Sequence, residues 1–196
     1  MQPLSVVRYL SDSMRLVEIT TDNLGRYSEI PIRYLVRSRL ADATGDESVW
    51  VEMPIEPYSK DYDSVAEEQP CHVVAKCSDG SWFGFGVVEG DNWLGGVIVI
   101  SNDAYGLLEG MRGAACLVDL RVAPSHRGHG IGGQLVCAAV EKSREVGFTE
   151  VFVETQDTNV AACRLYARSG FRLARWEPGA YGDFSDEIRL IWSLTL

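Results

Sequence analysis

Between Leu117 and Gly133 the chain reads L-V-D-L-R-V-A-P-S-H-R-G-H-G-I-G-G. An apolar strand ends at Pro124, a short basic turn follows, and closely spaced glycines open a helix. Gly128, Gly130, Gly132 and Gly133 lack side chains, so a ligand can come close to the backbone. The free N–H groups of that turn, with the positive end of the helix dipole, favour phosphate oxygens. Arg127 adds a positive charge at the mouth, and His126 and His129 flank the loop, either touching phosphate or solvated. The expected chemistry is the binding of a phosphorylated cofactor. Two acids lie nearby in sequence terms, Asp119 in L-V-D-L-R-V and Glu154 in V-F-V-E-T. Acids are depleted in strands, so these two are candidates for moving a proton or holding a cation. The structural alternative for Asp119 is an ion pair with Arg121.

Two patterns fit the glycines. Gly128-x-Gly130-x-x-Gly133 satisfies G-x-G-x-x-G, with Glu154 about 20 residues on, where a ribose-binding acid of a dinucleotide fold would sit. In that fold the glycines follow directly on the first strand, whereas here residues 123–127 intervene and too little chain follows for a doubly wound domain. The second pattern, Arg-x-x-Gly-x-Gly at Arg127, Gly130 and Gly132, resembles the pyrophosphate loop of the GNAT superfamily of acyl-CoA N-acetyltransferases. Downstream, Asn159, Ala162, Leu165, Tyr166, Gly170 and Phe171 match that superfamily's N-x-x-A-x-x-L-Y-x-x-x-G-F. Local physics agrees: Asn159 can cap a helix, and Ala162 and Leu165 share a face with Tyr166 beside them. Gly170 suits the left-handed residue that ends a helix. Two motifs in the right order, about 30 residues apart, identify the chain as a member of the superfamily.

The resemblance implies an α+β fold, with a mixed, mostly antiparallel central sheet flanked by helices on both faces, and acetyl-CoA as co-substrate. It assigns the backbone of Leu120, Arg121 and Val122 to the pantetheine arm. Arg127, Gly128, His129, Gly130, Ile131, Gly132 and Gly133 fall to the pyrophosphate, and Asn159 to the cofactor as well. Tyr166 faces the coenzyme A sulfur as general acid; its bland alternative is a helix tyrosine packed on the core. A lysine-like amine, with a pKa of about 10.4, must lose a proton before attacking a thioester, which calls for a general base. Asp119 is expected as that base, directly or through water, and Glu154 as holder of the ammonium; the exchanged assignment stands beside it.

A closer resemblance narrows the substrate. E-T-Q-D-T-N-V-A-A-C-R-L-Y (residues 154–166) and A-Y-G-D-F-S-D-E-I-R-L-I-W (residues 180–192) are similar to the streptothricin acetyltransferases, which acetylate the lysine-derived side chain of an antibiotic. E-M-P-I-E-P-Y-S-K-D-Y-D (residues 52–63) is similar to that group's acidic N-terminal half. By this analogy Tyr181, Asp183 and the acids around Asp61 line the amine site. Residues 93–113 form a longer segment than the group implies. The expected function is acetylation of a primary amine on a cationic small molecule. Acetylation of protein lysines or N-termini, and a non-catalytic acetyl-CoA-binding module, stand as alternatives.

The elements that must position these residues follow from pattern. Met14 to Thr20 reads as a strand, and Leu24 to Leu40 as a helix interrupted by Pro31. An irregular segment reaches Pro70, and His72 to Ala75 with Trp82 to Val88 alternate like a hairpin around Ser78-Asp79-Gly80. Val97 to Ser101 and Ala115 to Val122 are strands. Asn102 to Gly113 is a glycine-spaced connection, and Ile131 to Val146 is the helix after the loop. Thr149 to Gln156, Leu173 to Arg175 and Ile188 to Leu194 complete the sheet. A single domain spans 1–196, with residues 1–113 as the substrate-side half and 114–196 as the acetyl-CoA-binding half.

Composition bounds the partners. At 196 residues and 46% apolar content, one sizeable core is expected. A net charge of −10 argues against nucleic acid and favours a cationic substrate steered by acids, which concentrate between Asp42 and Glu68. The alternative for that run is a solvated acidic loop. Neither a signal-peptide layout nor a membrane-length apolar run is present, so a cytoplasmic location without membrane association is expected. Five cysteines without a C-x-x-C pair read mostly as buried free thiols, and three histidines without ligand spacing predict no metal site. A homodimer is compatible with the tryptophans and glycines of residues 82–113, which equally suit a substrate lid.

Overall fold

The strand that precedes the glycine turn, β7 (Ala114–Val122), runs through the middle of an eight-stranded sheet. The computed structural model describes residues 6–43, 50–77, 80–101, 113–182 and 186–196. Before β7 come β1 (Val6–Tyr9), β2 (Met14–Glu18), α1 (Leu24–Ser28), β3 (Tyr34–Asp42), β4 (Val51–Lys60), α2 (Pro70–Ala75), β5 (Trp82–Glu89) and β6 (Asn92–Ile100). After it come α3 (Ile131–Val146), β8 (Glu150–Gln156), α4 (Val160–Arg168), β9 (Arg172–Glu177) and β10 (Arg189–Thr195). The sheet order is β1-β2-β5-β6-β7-β8-β10-β9, and β3 pairs with β4 in a separate ribbon. Every pairing is antiparallel except β7 with β8. That parallel pair needs a crossover, which α3 supplies. The mixed, mostly antiparallel α+β architecture expected from sequence is the one observed.

Apolar spacing decides which face each helix covers. On α3, Ile131, Leu135, Val136, Ala138, Ala139 and Val140 are buried, a stripe at helical period that packs with Val87, Val97, Val99, Leu117 and Val153. The helix stops at Gly147, whose φ of 97° is left-handed and whose N–H bonds Ser143 O and Arg144 O. On α4 the same face of the sheet receives Cys163 and Tyr166. The opposite face is covered by α1 and α2, through Tyr27, Val73 and Val74 against Ile98, Ile100, Phe152 and Ile191. The β3–β4 ribbon is anchored at the end of β8, where Leu40 N donates to Asp157 O at 3.0 Å and Arg39 Nε to Asp157 Oδ2 at 2.7 Å.

Several elements differ from expectation. Residues 70–75 form helix α2 rather than a strand: Pro70 is pre-set for the first helical turn, and six residues are too few to display a helical period. The helix expected over residues 24–40 is one short turn; beyond Pro31 the chain becomes β3. The irregular segment contains β4, which tolerates Pro54 and Pro57 because a two-stranded ribbon consists of edges. The connection 102–112 and the turn residues Ser78 and Asp79 lie outside the described residues. All five cysteines are free, Cys77, Cys116 and Cys163 buried and Cys71 and Cys137 exposed. Among the described residues no helix is long and apolar enough to cross a membrane.

Candidate active site

The parallel pairing of β7 with β8 stops early. It runs from Ala114 opposite Glu150 to Leu117 opposite Val153. Beyond that point β7 continues to Val122 on β6, and β8 continues to Gln156 on β10. The register of β7 against β6 also slips between Asp119 and Leu117, leaving Val118 as the extra residue of a bulge. The sheet therefore opens as a V, and among the described residues the edge of β7 from Val118 to Val122 has no strand partner on that side. A cleft of about 780 Å3 fills the opening, lined by β7, the glycine turn, the start of α3, the end of β8 and one side of α4. Unpaired backbone N–H and C=O groups along such a wall need a partner, and an extended ligand carrying amides would supply one. Leu120, Arg121 and Val122 all line the cleft.

At one end of the cleft the turn has the backbone that its glycines permit. Gly128 and Gly130 have φ of 80° and 84°, a region that costs a non-glycine residue about 1–2 kcal/mol. Gly130 opens α3, and Ile131, Gly132 and Gly133 line the cleft from its first turn. Gly132 has a second reason to be glycine, because a Cβ there would meet Leu165 Cδ2 at 3.2 Å, so it lets α3 approach α4. Arg127 lines the cleft, and its guanidinium is held in place by backbone carbonyls. Its guanidinium donates to Val122 O at 2.9 Å, Arg33 O at 2.9 Å and Pro31 O at 3.1 Å, strapping the segment after α1 to the end of β7. His129 is turned to its own backbone, with Nδ1 3.0 Å from Arg127 O, and is not part of the cleft wall, whereas His126 is. Asn159 lines the cleft and caps α4 as its sequence position suggested, its Oδ1 accepting from Ala162 N at 3.2 Å.

Tyr166 lines the cleft from α4 with its ring tilted against Phe171 at 5.9 Å. Burial pushes its phenol well above the ordinary tyrosine value, with the neighbouring Cys163, Asp119 and Cys116 adding to the effect. The hydroxyl therefore keeps its proton at any physiological pH, as a proton donor must.

The two strand acids have different surroundings. Asp119 is 5% exposed and fully engaged. Arg121, 2% exposed, donates through Nε to Oδ1 at 3.0 Å and through Nη2 to Oδ2 at 2.7 Å, and the Tyr27 hydroxyl also donates to Oδ1. Tyr27 can reach there only because residue 96 is glycine: a Cβ would lie 2.4 Å from its ring. The Nη1 of Arg121 goes on to Ile30 O at 2.9 Å and Asp63 Oδ1 at 3.0 Å. The ion pair with Arg121, weighed beside the role of base for Asp119, is formed.

Glu154 is half-buried on the cleft wall. Strand alternation puts it on the same face of β8 as Phe152 and Gln156. Its Oε1 accepts from the Tyr181 hydroxyl at 2.9 Å, and Tyr181 accepts from Gln156 Nε2 at 2.7 Å. Gln156 Oε1 accepts from the Tyr62 hydroxyl, whose oxygen lies 3.4 Å from that of Tyr34. Tyr181 thus reaches the expected acid, while Asp183 lies outside the described residues. The acidic run is largely committed to structure: Glu52 pairs with Arg164 at 2.6 Å, Asp63 with Arg121, and Asp61 caps the turn Tyr62–Ser64, while Glu68 lines the cleft. Tyr27, Tyr62 and Gln156 were missed in the sequence; for Gln156 alone a signal existed, its position two residues beyond Glu154.

Residues 43–171 match the acetyltransferase (GNAT) family, so the chain belongs to that class of transferases. That family depends on acetyl-CoA. Among curated proteins the chain is 31% identical over 105 residues to streptothricin acetyltransferase A of Bacillus subtilis, covering 52% of this chain and 56% of that protein. It is 28% identical over 151 residues to streptothricin acetyltransferase of Streptomyces lavendulae, covering 74% of each. Among solved structures, a Bacillus anthracis protein described as a streptothricin acetyltransferase, in complex with acetyl coenzyme A, superposes with a TM-score of 0.75 at 21% identity over 94% of this chain and 100% of that one. Nourseothricin acetyltransferase superposes with a TM-score of 0.70 at 23% identity over 93% and 98%. These likenesses concern the fold.

Proposed function

We propose that the chain transfers the acetyl group of acetyl-CoA to a primary amine of a cationic small molecule, with a streptothricin-type antibiotic as the foremost candidate. The observation that carries this reading is the V between β7 and β8, filled by a cleft that both Tyr166 and Glu154 line. Acetyl-CoA lies with its pyrophosphate over the amides of Gly130–Gly133, at a helix N-terminus, and its pantetheine amides against the open edge of Leu120–Val122. Residues 114–196 then serve mainly as the cofactor half and residues 1–113 as the substrate half of one domain.

In the reaction the substrate ammonium gives a proton to Glu154, directly or through water, and the amine nitrogen attacks the thioester carbon. The carbonyl re-forms as the carbon–sulfur bond breaks, and the departing thiolate takes the proton of the Tyr166 hydroxyl. The nitrogen's second proton leaves through water to restore that hydroxyl, and Glu154 releases its proton to solvent. Glu154 suits the base role better than Asp119, because only Oε1 of Glu154 is held among the described residues. The likeness to streptothricin acetyltransferases supports the antibiotic as substrate. The test is release of coenzyme A from acetyl-CoA with streptothricin, aminoglycosides, polyamines and lysine-ended peptides. Turnover confined to small cationic amines is expected. Turnover on peptides alone would replace this reading with protein acetylation, and acetyl-CoA binding without turnover would leave a binding module.

A further inference from the structure

Two adjacent residues, Tyr62 and Asp63, reach the two limbs of the V separately. Tyr62 donates to Gln156 Oε1, and through Gln156 and Tyr181 its chain of hydrogen bonds ends at Glu154 on β8. Asp63 accepts from Arg121 Nη1 at 3.0 Å, and Arg121 holds Asp119 on β7. The dipeptide sits in a turn that is itself fixed, with Asp63 N donating to Asp61 Oδ1 at 3.2 Å and Ser64 Oγ to Asp61 O at 2.6 Å. Asp63 also receives the N–H of Ile32, a residue of the cleft wall, at 3.3 Å.

The direction of the longer chain follows from counting protons. The Tyr181 hydroxyl donates to Glu154 Oε1, which spends the one proton of that phenol. Its oxygen then accepts from the Gln156 amide NH2, which turns the Gln156 carbonyl toward Tyr62. Tyr62 spends its one proton on that carbonyl, which leaves Tyr34 as the donor in the contact between the two phenols. A flipped Gln156 would give Tyr181 two acceptors for one proton. All the donors therefore point toward Glu154, and such chains reinforce one another.

We propose that Tyr62 and Asp63 form a brace across the open end of the sheet, fixing the spacing of β7 and β8 and the orientation of Glu154 toward the amine. They are positioning residues, and the inference rests on the acetyl-transfer reading of the same cleft. Nothing in the sequence motifs marks them, because the brace joins residues 94 and 58 positions from their partners.

The test uses Tyr62→Phe, Tyr181→Phe and the double variant in the full chain, with two readouts. In kinetics, Tyr62→Phe lowers kcat/KM for the amine about tenfold and leaves the acetyl-CoA dissociation constant unchanged. The double variant is no worse than Tyr181→Phe, since Tyr62 acts through Tyr181. In amide hydrogen exchange, which needs no turnover, Tyr62→Phe speeds exchange in residues 61–64 and 154–156 several-fold while the melting temperature holds. Additive kinetic losses, or unchanged exchange in residues 154–156, would overturn the brace. Wild-type protein without turnover on any amine would overturn the acetyl-transfer reading and leave the exchange result to decide the brace.

Discussion

The hydroxyl of Tyr181 donates to Oε1 of Glu154 at 2.9 Å across 27 residues of sequence. This contact turns a strand acid into an oriented one, and it separates Glu154 from Asp119, the strand acid of β7 that also lines the cleft. Asp119 neutralises a buried arginine, and in the proposed reaction Glu154 keeps an oxygen for the substrate.

That division predicts opposite phenotypes. Asp119→Asn removes one of the four acceptors of buried Arg121 and the carboxylate charge that pairs with it, a loss of about 3–5 kcal/mol for a broken buried pair. Melting should fall by about 10 °C in a chain of this size, and activity should fall with it. Glu154→Gln should melt like wild type yet lose about 10²–10⁴ in kcat, the range of a general base. Differential scanning calorimetry beside steady-state kinetics separates the two.

Tyr166→Phe removes a hydroxyl and little packing, because the ring contact with Phe171 remains. The expected result is a fall in kcat of about 10²-fold or more, with acetyl-CoA binding by calorimetry unchanged. Loss of binding in step with kcat would assign the tyrosine to packing instead.

Buried tyrosines set an alkaline limit. Burial is the largest cause raising the phenols of Tyr27, Tyr34, Tyr62, Tyr166 and Tyr181 above the ordinary value, and it pushes Tyr58 up to about 12. In each case the folded chain holds its proton where the unfolded chain releases it. Stability from these groups is complete below about pH 10, the unfolded value, and is lost as pH rises through the folded values. Melting temperature should be insensitive to tyrosine ionisation up to pH 10 and then fall steeply. A flat profile to pH 12 would contradict the burial of these side chains.

Gly130→Ala tests the phosphate end. Its φ of 84° strains any other residue by about 1–2 kcal/mol. Relaxing the turn would move the first amides of α3, so the acetyl-CoA dissociation constant should rise about tenfold, as equilibrium dialysis would measure, with amine KM little changed.

What could be read from the chain was local. The Asn159 cap, the Gly130 and Gly170 turns and the stripe of α3 each involve neighbours within a few residues, and all formed where expected. Asp119 and Glu154 stood out because acids interrupt apolar strands. The core residue Tyr27 and the wall residue Tyr62 lie 92 and 94 positions from their partners, Asp119 and Gln156, and leave no period in the sequence. The placement of Arg127 was legible in the same limited way: its charge is local, but the carbonyls of Pro31 and Arg33 that hold its guanidinium are not. Helix α2 and strand β4 were hidden by brevity and by proline.

The most direct test of the account is mass analysis of streptothricin after incubation with acetyl-CoA and wild-type protein, Asp119→Asn or Glu154→Gln. Wild type should add one acetyl group to an amine, folded Asp119→Asn should retain measurable transfer, and Glu154→Gln should lose it while still binding acetyl-CoA. Transfer by Glu154→Gln at the wild-type rate would contradict the assignment of the base, and an unmodified antibiotic with every protein would contradict the proposed substrate.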